Sequence, residues 1–235
     1  MNKKTVSLIL IIFIGVAVFM LFTQKNVKNT VLEKGSEVVS KLIIRDEETT
    51  GAGRLTIDSV MGDPVQRPAE GEVTTTAAGY NITIRYLASY DIKALVVHTK
   101  SYPGVSYASV LSPCDLALAW GNVAKYNDEV NLNWSQSGRW YSWRADSSSE
   151  IEQMGGTDGV NKHSANCHIV PATDTVKKVV KNLKEGDVVE LKGYLVDIHG
   201  TKGDGTSVSW TSSTSRDDTG DGACELIYVT DIIVN

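Results

Sequence analysis

The chain has 235 residues, 42% hydrophobic and 22% charged, which is ordinary globular composition with room for one sizeable domain or two small ones. Residues 1–28 hold Lys3, Lys4, Lys25 and Lys28 and no acid, so the rest of the chain carries 19 basic against 28 acidic residues. A part that acidic is a poor counterion for phosphate backbones, which excludes nucleic-acid binding through a basic face. The three cysteines, Cys114, Cys167 and Cys224, form no CxxC pair and so exclude zinc-ribbon and thioredoxin-type sites.

The first element is VSLILIIFIGVAVFMLF, Val6 to Phe22, apolar throughout except for Ser7. As a helix it covers roughly 25 Å, close to the ~30 Å hydrocarbon core of a bilayer, and Thr5 and Thr23 can extend it. A cleavable signal peptide ends in small residues. This run ends Phe19-Met20-Leu21-Phe22, so it predicts an uncleaved single-span anchor over residues 1–28. Lysines lie on both sides of the span. The short basic tail before it stays in the cytoplasm, which puts the large domain outside. The bilayer is therefore one expected partner, through residues 6–22, in the plasma (inner) membrane.

Residues 29–71 read as a stalk or linker, with MGDPVQRPAEGE supplying two prolines and two glycines near its end. An α+β, β-dominant domain is expected over 72–235. Tyr80, Ile82, Ile84 and Tyr86 alternate as one face of a strand, Ser89-Tyr90-Asp91 suits a turn, and Ile92 to Thr99 suits a buried second strand. SPCDLALAWG, 112–121, has the signs of a helix start: Ser112 as N-cap, Pro113 at N1 and Asp115 at N3. VNLNW and RWYSWR read as strands joined by SQSG, and the polar, Gly-rich stretch 145–162 as a loop. Asp174 opens a short amphipathic helix with Val176, Val179, Val180 and Leu183 on one face, closing at Gly186. GDVVELKGYLVDIHG is a strand with Gly193 as a bulge or close-contact point, TKGDG a turn, TSVSW its return, and CELIYVTDIIV the closing strand. This last pattern is analogous to a small closed barrel of the OB type.

HSANCH, 163–168, carries the densest potential chemistry. Its histidines are five positions apart, which puts them on different sides of a helix or strand. Only a bend at Ser164-Ala165-Asn166 brings both to one metal, and a zinc ion would need a third ligand from elsewhere. A hydrogen-bonded polar turn is the favoured reading. Cys224 beside a histidine would make a thiol enzyme, yet it opens an apolar strand, where packing is the ordinary role. DDTGDGACE matches half of a calcium loop, and Tyr228 stands where the bidentate acid would be needed. No P-loop, GxGxxG or HExxH motif implies a cofactor or metal.

With SPCDLALAWG, SGRWYSW, HSANCHIVPA and DTGDGACE in view, residues 80–235 resemble a family of uncharacterised bacterial single-span membrane-anchored proteins with SPxDLALxWG, SGRWYxW, HSANxHxxPA and DTGxGACE motifs. The resemblance implies architecture and no activity. This chain departs from that pattern at Cys114 and Cys167, where the family has Val and Met. Two apolar positions both becoming cysteine suggest contact, with a Cys114–Cys167 disulfide as the candidate and two independent buried thiols as the alternative. The polar and aromatic residues of the motifs make up the candidate pocket: His163, Ser164, Asn166 and His168; Asp115; Arg139 and Trp143; Arg216, Asp218 and Glu225. The leading expectation is a membrane-anchored envelope domain that binds or scaffolds, with an envelope protein or glycan as partner. The alternative is an envelope hydrolase centred on His163 and His168, with or without zinc.

Overall fold

The computed structural model describes residues 61–215, 217 and 224–235. Along the chain lie β1 (Val65–Pro68), β2 (Glu72–Ala77), β3 (Tyr80–Ser101), α1 (Tyr107–Leu111), β4 (Cys114–Ala119), α2 (Gly121–Tyr126), β5 (Ser135–Ser137) and β6 (Trp140–Ser142). A 3-10 helix (Ser148–Met154), α3 (Gly156–Lys162), β7 (Ser164–Pro171), α4 (Asp174–Asn182), β8 (Val188–Thr201), β9 (Ser207–Thr211) and β10 (Glu225–Val234) follow. The expected span at 6–22 lies outside the described residues. Among the described residues no helix is long and apolar enough to cross a membrane.

The β-dominant α+β expectation holds, with one large mixed sheet in one domain. β3 pairs with β4, β4 with β7, β7 with β10, β10 with β8, and β8 again with β3. The pairings therefore close on themselves through five strands. Among the described strands only β7 and β10 pair in parallel. The connection between β7 and β8 is α4, capped by Thr173, whose hydroxyl accepts from the Val176 amide at 3.2 Å. α4 buries Val176 and Val180 as its spacing predicts, and it ends at Asn182, before the expected Gly186.

Two apolar clusters follow from strand alternation. The first draws Ile92 and Ala94 from β3, Leu116 and Leu118 from β4, Cys167 and Ile169 from β7, Val189 and Leu191 from β8, and Ile227 and Val229 from β10. All five ring strands contribute, so this cluster fills the ring. Each such Leu or Ile removed from water contributes about 1.5–3 kcal/mol. The second cluster joins Ile82, Ile84, Val196, Ile198, Val170 and Leu226, where the far halves of β3 and β8 fold over the outer face. Gly193 is a close-contact point, as expected: a Cβ there would lie 2.1 Å from the Tyr228 carbonyl oxygen across the β8–β10 pair.

Several local expectations are overturned. SPCDLALAWG is not a helix; CDLALA is β4, buried at all six positions between two partner strands. Leu and Ala are helix formers, but a strand hidden on both faces shows no alternation, and tertiary pairing overrides a weak local propensity. The helix in that region is α1, one turn earlier, capped by Ser106. Ser89-Tyr90-Asp91 is not a turn but the middle of the 22-residue β3, which bends at bulges near Tyr86 and Val96 instead. SQS is itself strand β5, and the hairpin turn is Gly138-Arg139. The Gly-rich stretch 145–162 folds as the 3-10 helix and α3. The domain also begins before residue 72. β1 pairs with β3, Met61 is buried, and Asp63 accepts from the Trp120 indole at 3.0 Å, so 61–71 is built into the fold.

HSANCH is not a bent turn. Its last five residues open β7, a central strand between β4 and β10, and are buried throughout. No disulfide joins Cys114 and Cys167. The register sets Cys114 opposite Ile169 and Cys167 opposite Leu116, so the two sulfurs are diagonal neighbours. Diagonal positions stand about 7–8 Å apart, whereas a disulfide needs Cβ atoms about 3.5–4.5 Å apart.

Candidate functional site

The register that separates the cysteines aligns polar residues on the opposite face of the same strands. Asp115 on β4 stands directly across from His168 on β7, and Asn166 follows two residues along the same face. Asp115 is fully buried, and Asn166 and His168 are nearly so. A buried carboxylate needs partners, and Asp115 has them at one of its two oxygens. Its Oδ1 receives Arg139 Nη1 at 2.7 Å, lies 3.0 Å from His168 Nδ1, and accepts from the Ser112 hydroxyl at 3.4 Å.

Arg139 reaches this carboxylate from the β5–β6 hairpin. Gly138 and Arg139 both take positive φ, at 58° and 73°. Such a two-residue turn favours Asn-Gly, and an arginine in the left-handed region costs about 1–2 kcal/mol. The surroundings hold it there. Its amide donates to the Tyr102 hydroxyl at 3.1 Å, and its carbonyl accepts from Asn166 Nδ2 at 2.8 Å. The guanidinium donates to the carbonyls of Ala108 and Ser112 and packs over the rings of Tyr102 and Trp210. Burial, followed by the Asp115 charge, pushes the Tyr102 hydroxyl above its usual range.

The sequence places Cys224 one residue before β10. Alternation then turns it away from Glu225, which faces into the ring, with the Cys167 sulfur 3.9 Å from its Oε2. Cys224 instead meets His168. Burial is the largest influence on the imidazole and lowers its pKa. Hydrogen bonds to Asp115 and Cys224, with the charge on each, outweigh burial and hold it above the ordinary value. Arg139, Asp115, His168 and Cys224 thus stand in line: guanidinium, carboxyl group, imidazole, thiol.

This line ends in an open pocket of about 370 Å³, bordered by Tyr107, Trp140, Arg139, Trp210, His168 and Cys224. Trp210 packs against His168 with ring centres 4.8 Å apart, and Trp140 is 45% exposed at the rim. Cys224 is half-buried at this pocket, whereas Cys114 is buried in the ring interior and its thiol is pushed up to about 11, by burial first and the Asp115 charge second.

No family model matches the chain, and no curated protein or solved structure matches it either.

Of the sequence-predicted residues that are described, Asp115, Asn166, His168 and Arg139 come together, and His163, Ser164, Trp143 and Glu225 do not. His163 caps the end of α3, with Nδ1 2.9 Å from the Gly159 carbonyl and Nε2 3.7 Å from Asp63. It therefore serves a different part of the fold from His168, and the paired-histidine centre is overturned. Among the described residues no group of three or more His, Cys, Asp and Glu could hold a metal ion. Ser164 donates to the Val160 carbonyl at 2.6 Å, and the Trp143 indole donates to Asn161 at 3.0 Å. Glu225 is buried on the opposite face from the pocket. Arg216 and Asp218, with most of the half-calcium loop, lie outside the described residues. Sequence reasoning gave Cys224 a packing role and did not single out Gln136 or Trp210 for the site. Only the step at Cys224–Glu225, a polar pair opening an apolar strand, hinted that the two face opposite ways.

Proposed function

We propose that this chain is a membrane-anchored envelope protein whose extracytoplasmic domain carries a thiol site for acyl transfer. Cys224 is the nucleophile, His168 the general acid and base, and Asp115 the group that orients the imidazole. The observation that supports this most is the contact of one buried imidazole with both Asp115 and Cys224, beside an open pocket. The Cys224 thiolate adds to an acyl carbonyl. The leaving group departs with the proton from the His168 imidazolium, giving a thioester on Cys224. Water or an amine then attacks that thioester, His168 takes its proton, and the thiolate is restored. Arg139 balances the Asp115 charge and fixes its position.

The five-strand closure is read as an OB-type barrel, in ring order first, second, third, fifth and fourth along the chain. Such barrels bind ligands on the face of their second and third strands, which here are β4 and β7, the strands that carry Asp115, Asn166 and His168. The anchor reading rests on residues 6–22 and on the family resemblance, with the plasma (inner) membrane as location.

Incubating the full chain with an activated ester such as p-nitrophenyl acetate should release p-nitrophenol in a burst of one equivalent and leave an acetyl group on Cys224, detected by peptide mass spectrometry. The absence of any acyl-Cys224, with the protein folded, would sink the enzyme reading. A second reading, ligand binding without turnover, is favoured by the aromatic border of Tyr107, Trp140 and Trp210, which suits an envelope glycan or peptide. A reporter fused after Asn235 tests the topology on which both depend.

A further inference from the structure

A chain of buried amides leads from the protein surface to the Cys224 sulfur. His98 Nδ1 lies 2.8 Å from Gln136 Oε1, Gln136 Nε2 donates to Asn166 Oδ1 at 2.6 Å, and Asn166 Nδ2 stands 3.7 Å from Cys224 Sγ. Gln136 and Asn166 are both buried, and His98 is partly exposed beside Glu185.

From this geometry we infer that Asn166 is a positioning residue for Cys224, holding an amide N–H on its sulfur in an orientation fixed through Gln136 and His98. The inference rests on the thiol-site reading above and adds a second group that prepares the nucleophile.

The direction of the chain follows from one fixed acceptor. The Arg139 carbonyl can only accept, and Asn166 donates to it at 2.8 Å. That sets Nδ2, rather than Oδ1, on the side that also faces Cys224. Oδ1 must then meet a donor, so Gln136 presents Nε2 to it and Oε1 to His98. His98 in turn must carry its proton on Nδ1. Its Nε2 lies 3.7 Å from the Glu185 carboxylate. Reversing any one amide would oppose two carbonyls or two N–H groups in a site that excludes water. The left-handed Arg139 turn therefore has a second use, since it presents the carbonyl that polarises the whole chain.

A donor on the sulfur favours thiolate over thiol. The other charged groups at Cys224 are His168 from β7, Asp115 from β4 behind that imidazole, and Arg139 from the hairpin turn. Each meets or neighbours the site from another direction, and none supplies the amide contact. Asn166 and His168 lie two residues apart on the same face of β7, so one strand delivers both.

The test is the pH dependence of Cys224 alkylation by iodoacetamide in the full chain, followed by peptide mass spectrometry so that Cys114 and Cys167 do not interfere. Asn166→Leu should slow Cys224 alkylation near neutral pH by about tenfold, because the sulfur loses a donor that favours its reactive form. Gln136→Leu and His98→Phe should shift it in the same direction by less, and His98→Asn, which keeps a donor, should restore most of the His98→Phe loss. Unchanged alkylation profiles in folded variants would overturn the inference. If Asn166→Leu does not fold, the milder Gln136→Leu and His98→Phe decide it. Alkylation needs no acyl substrate, so the two readings fail separately. A shifted thiol titration without acyl-Cys224 removes only the enzyme, whereas acyl transfer with an unmoved titration removes only the amide chain.

Discussion

β4 and β7 present two faces built from the same short segments, CDLALA and SANCHIVP, with opposite chemistry. Toward the ring interior point Cys114, Leu116, Leu118, Cys167 and Ile169; toward the outside point Asp115, Asn166 and His168. Both faces are buried. The inner face is stabilised by apolar contact, which is non-directional and tolerates exchange among similar volumes. The outer face depends on directed polar contacts, supplied from the β5–β6 hairpin, from Ser112 and from Cys224. The same contrast separates the cysteines. Cys114, in the apolar interior, has its thiol pushed up to about 11, while Cys224, among polar groups, faces an imidazole. Burial alone therefore does not mark a site; buried polar groups lined up toward a thiol at an open pocket do.

The sharpest way to break this comparison is at the sulfur. Cys224→Ser should lower acyl transfer by at least about 10³-fold with unchanged circular dichroism, while Cys114→Ala leaves the rate near wild type; equal losses in both would remove the distinction. Next in size is Arg139→Ala, which leaves the Asp115 carboxylate buried without its guanidinium and should cost about 3–5 kcal/mol in denaturant unfolding. On the inner face, Leu116→Ala should cost about 2–5 kcal/mol through the cavity it leaves, with no change in the pH profile of Cys224 alkylation. A shift in that profile would mean that the two faces are coupled.

The smallest expected effect is in pH. The folded state holds the His168 pKa above its ordinary value of 6.5. The stabilisation from its protonated form is therefore fully present below that ordinary value and is lost as pH rises through the raised folded value. Unfolding midpoints should fall gently across that window, and His168→Gln should flatten the slope. A slope of the same size in the variant would assign the effect to other groups.

How legible this was varies from element to element. α4 and the turn at TKGDG were readable because amphipathic spacing and turn residues are local signals, and Gly193 was readable because only a missing side chain permits that approach to Tyr228. β4 was misread because a strand covered on both faces shows no alternation, and Ser-Pro-x-Asp imitates a helix cap. For the site, Asp115, Asn166, His168 and Arg139 were visible as polar residues within distinctive motifs. Their grouping was not, and neither was the separation of His163 from His168. Nothing local to HSANCH says that it is paired with CDLALA, or that Asp115 stands opposite His168. A one-residue slip in that register would have turned the polar set into the ring and the cysteines toward the pocket.

The sequence by itself determined an acidic domain behind an apolar, lysine-flanked N-terminal run, a strand-rich composition and a small set of polar residues in apolar surroundings, because these depend on composition and short-range order. Only the tertiary structure decided that β3 meets both β4 and β8, that Cys114 and Cys167 lie diagonally without a bond, and that Cys224 rather than His163 faces His168. Those outcomes depend on strand register and ring closure between segments far apart in the chain. The energy that selects them comes from burying both faces at once, which no single segment encodes.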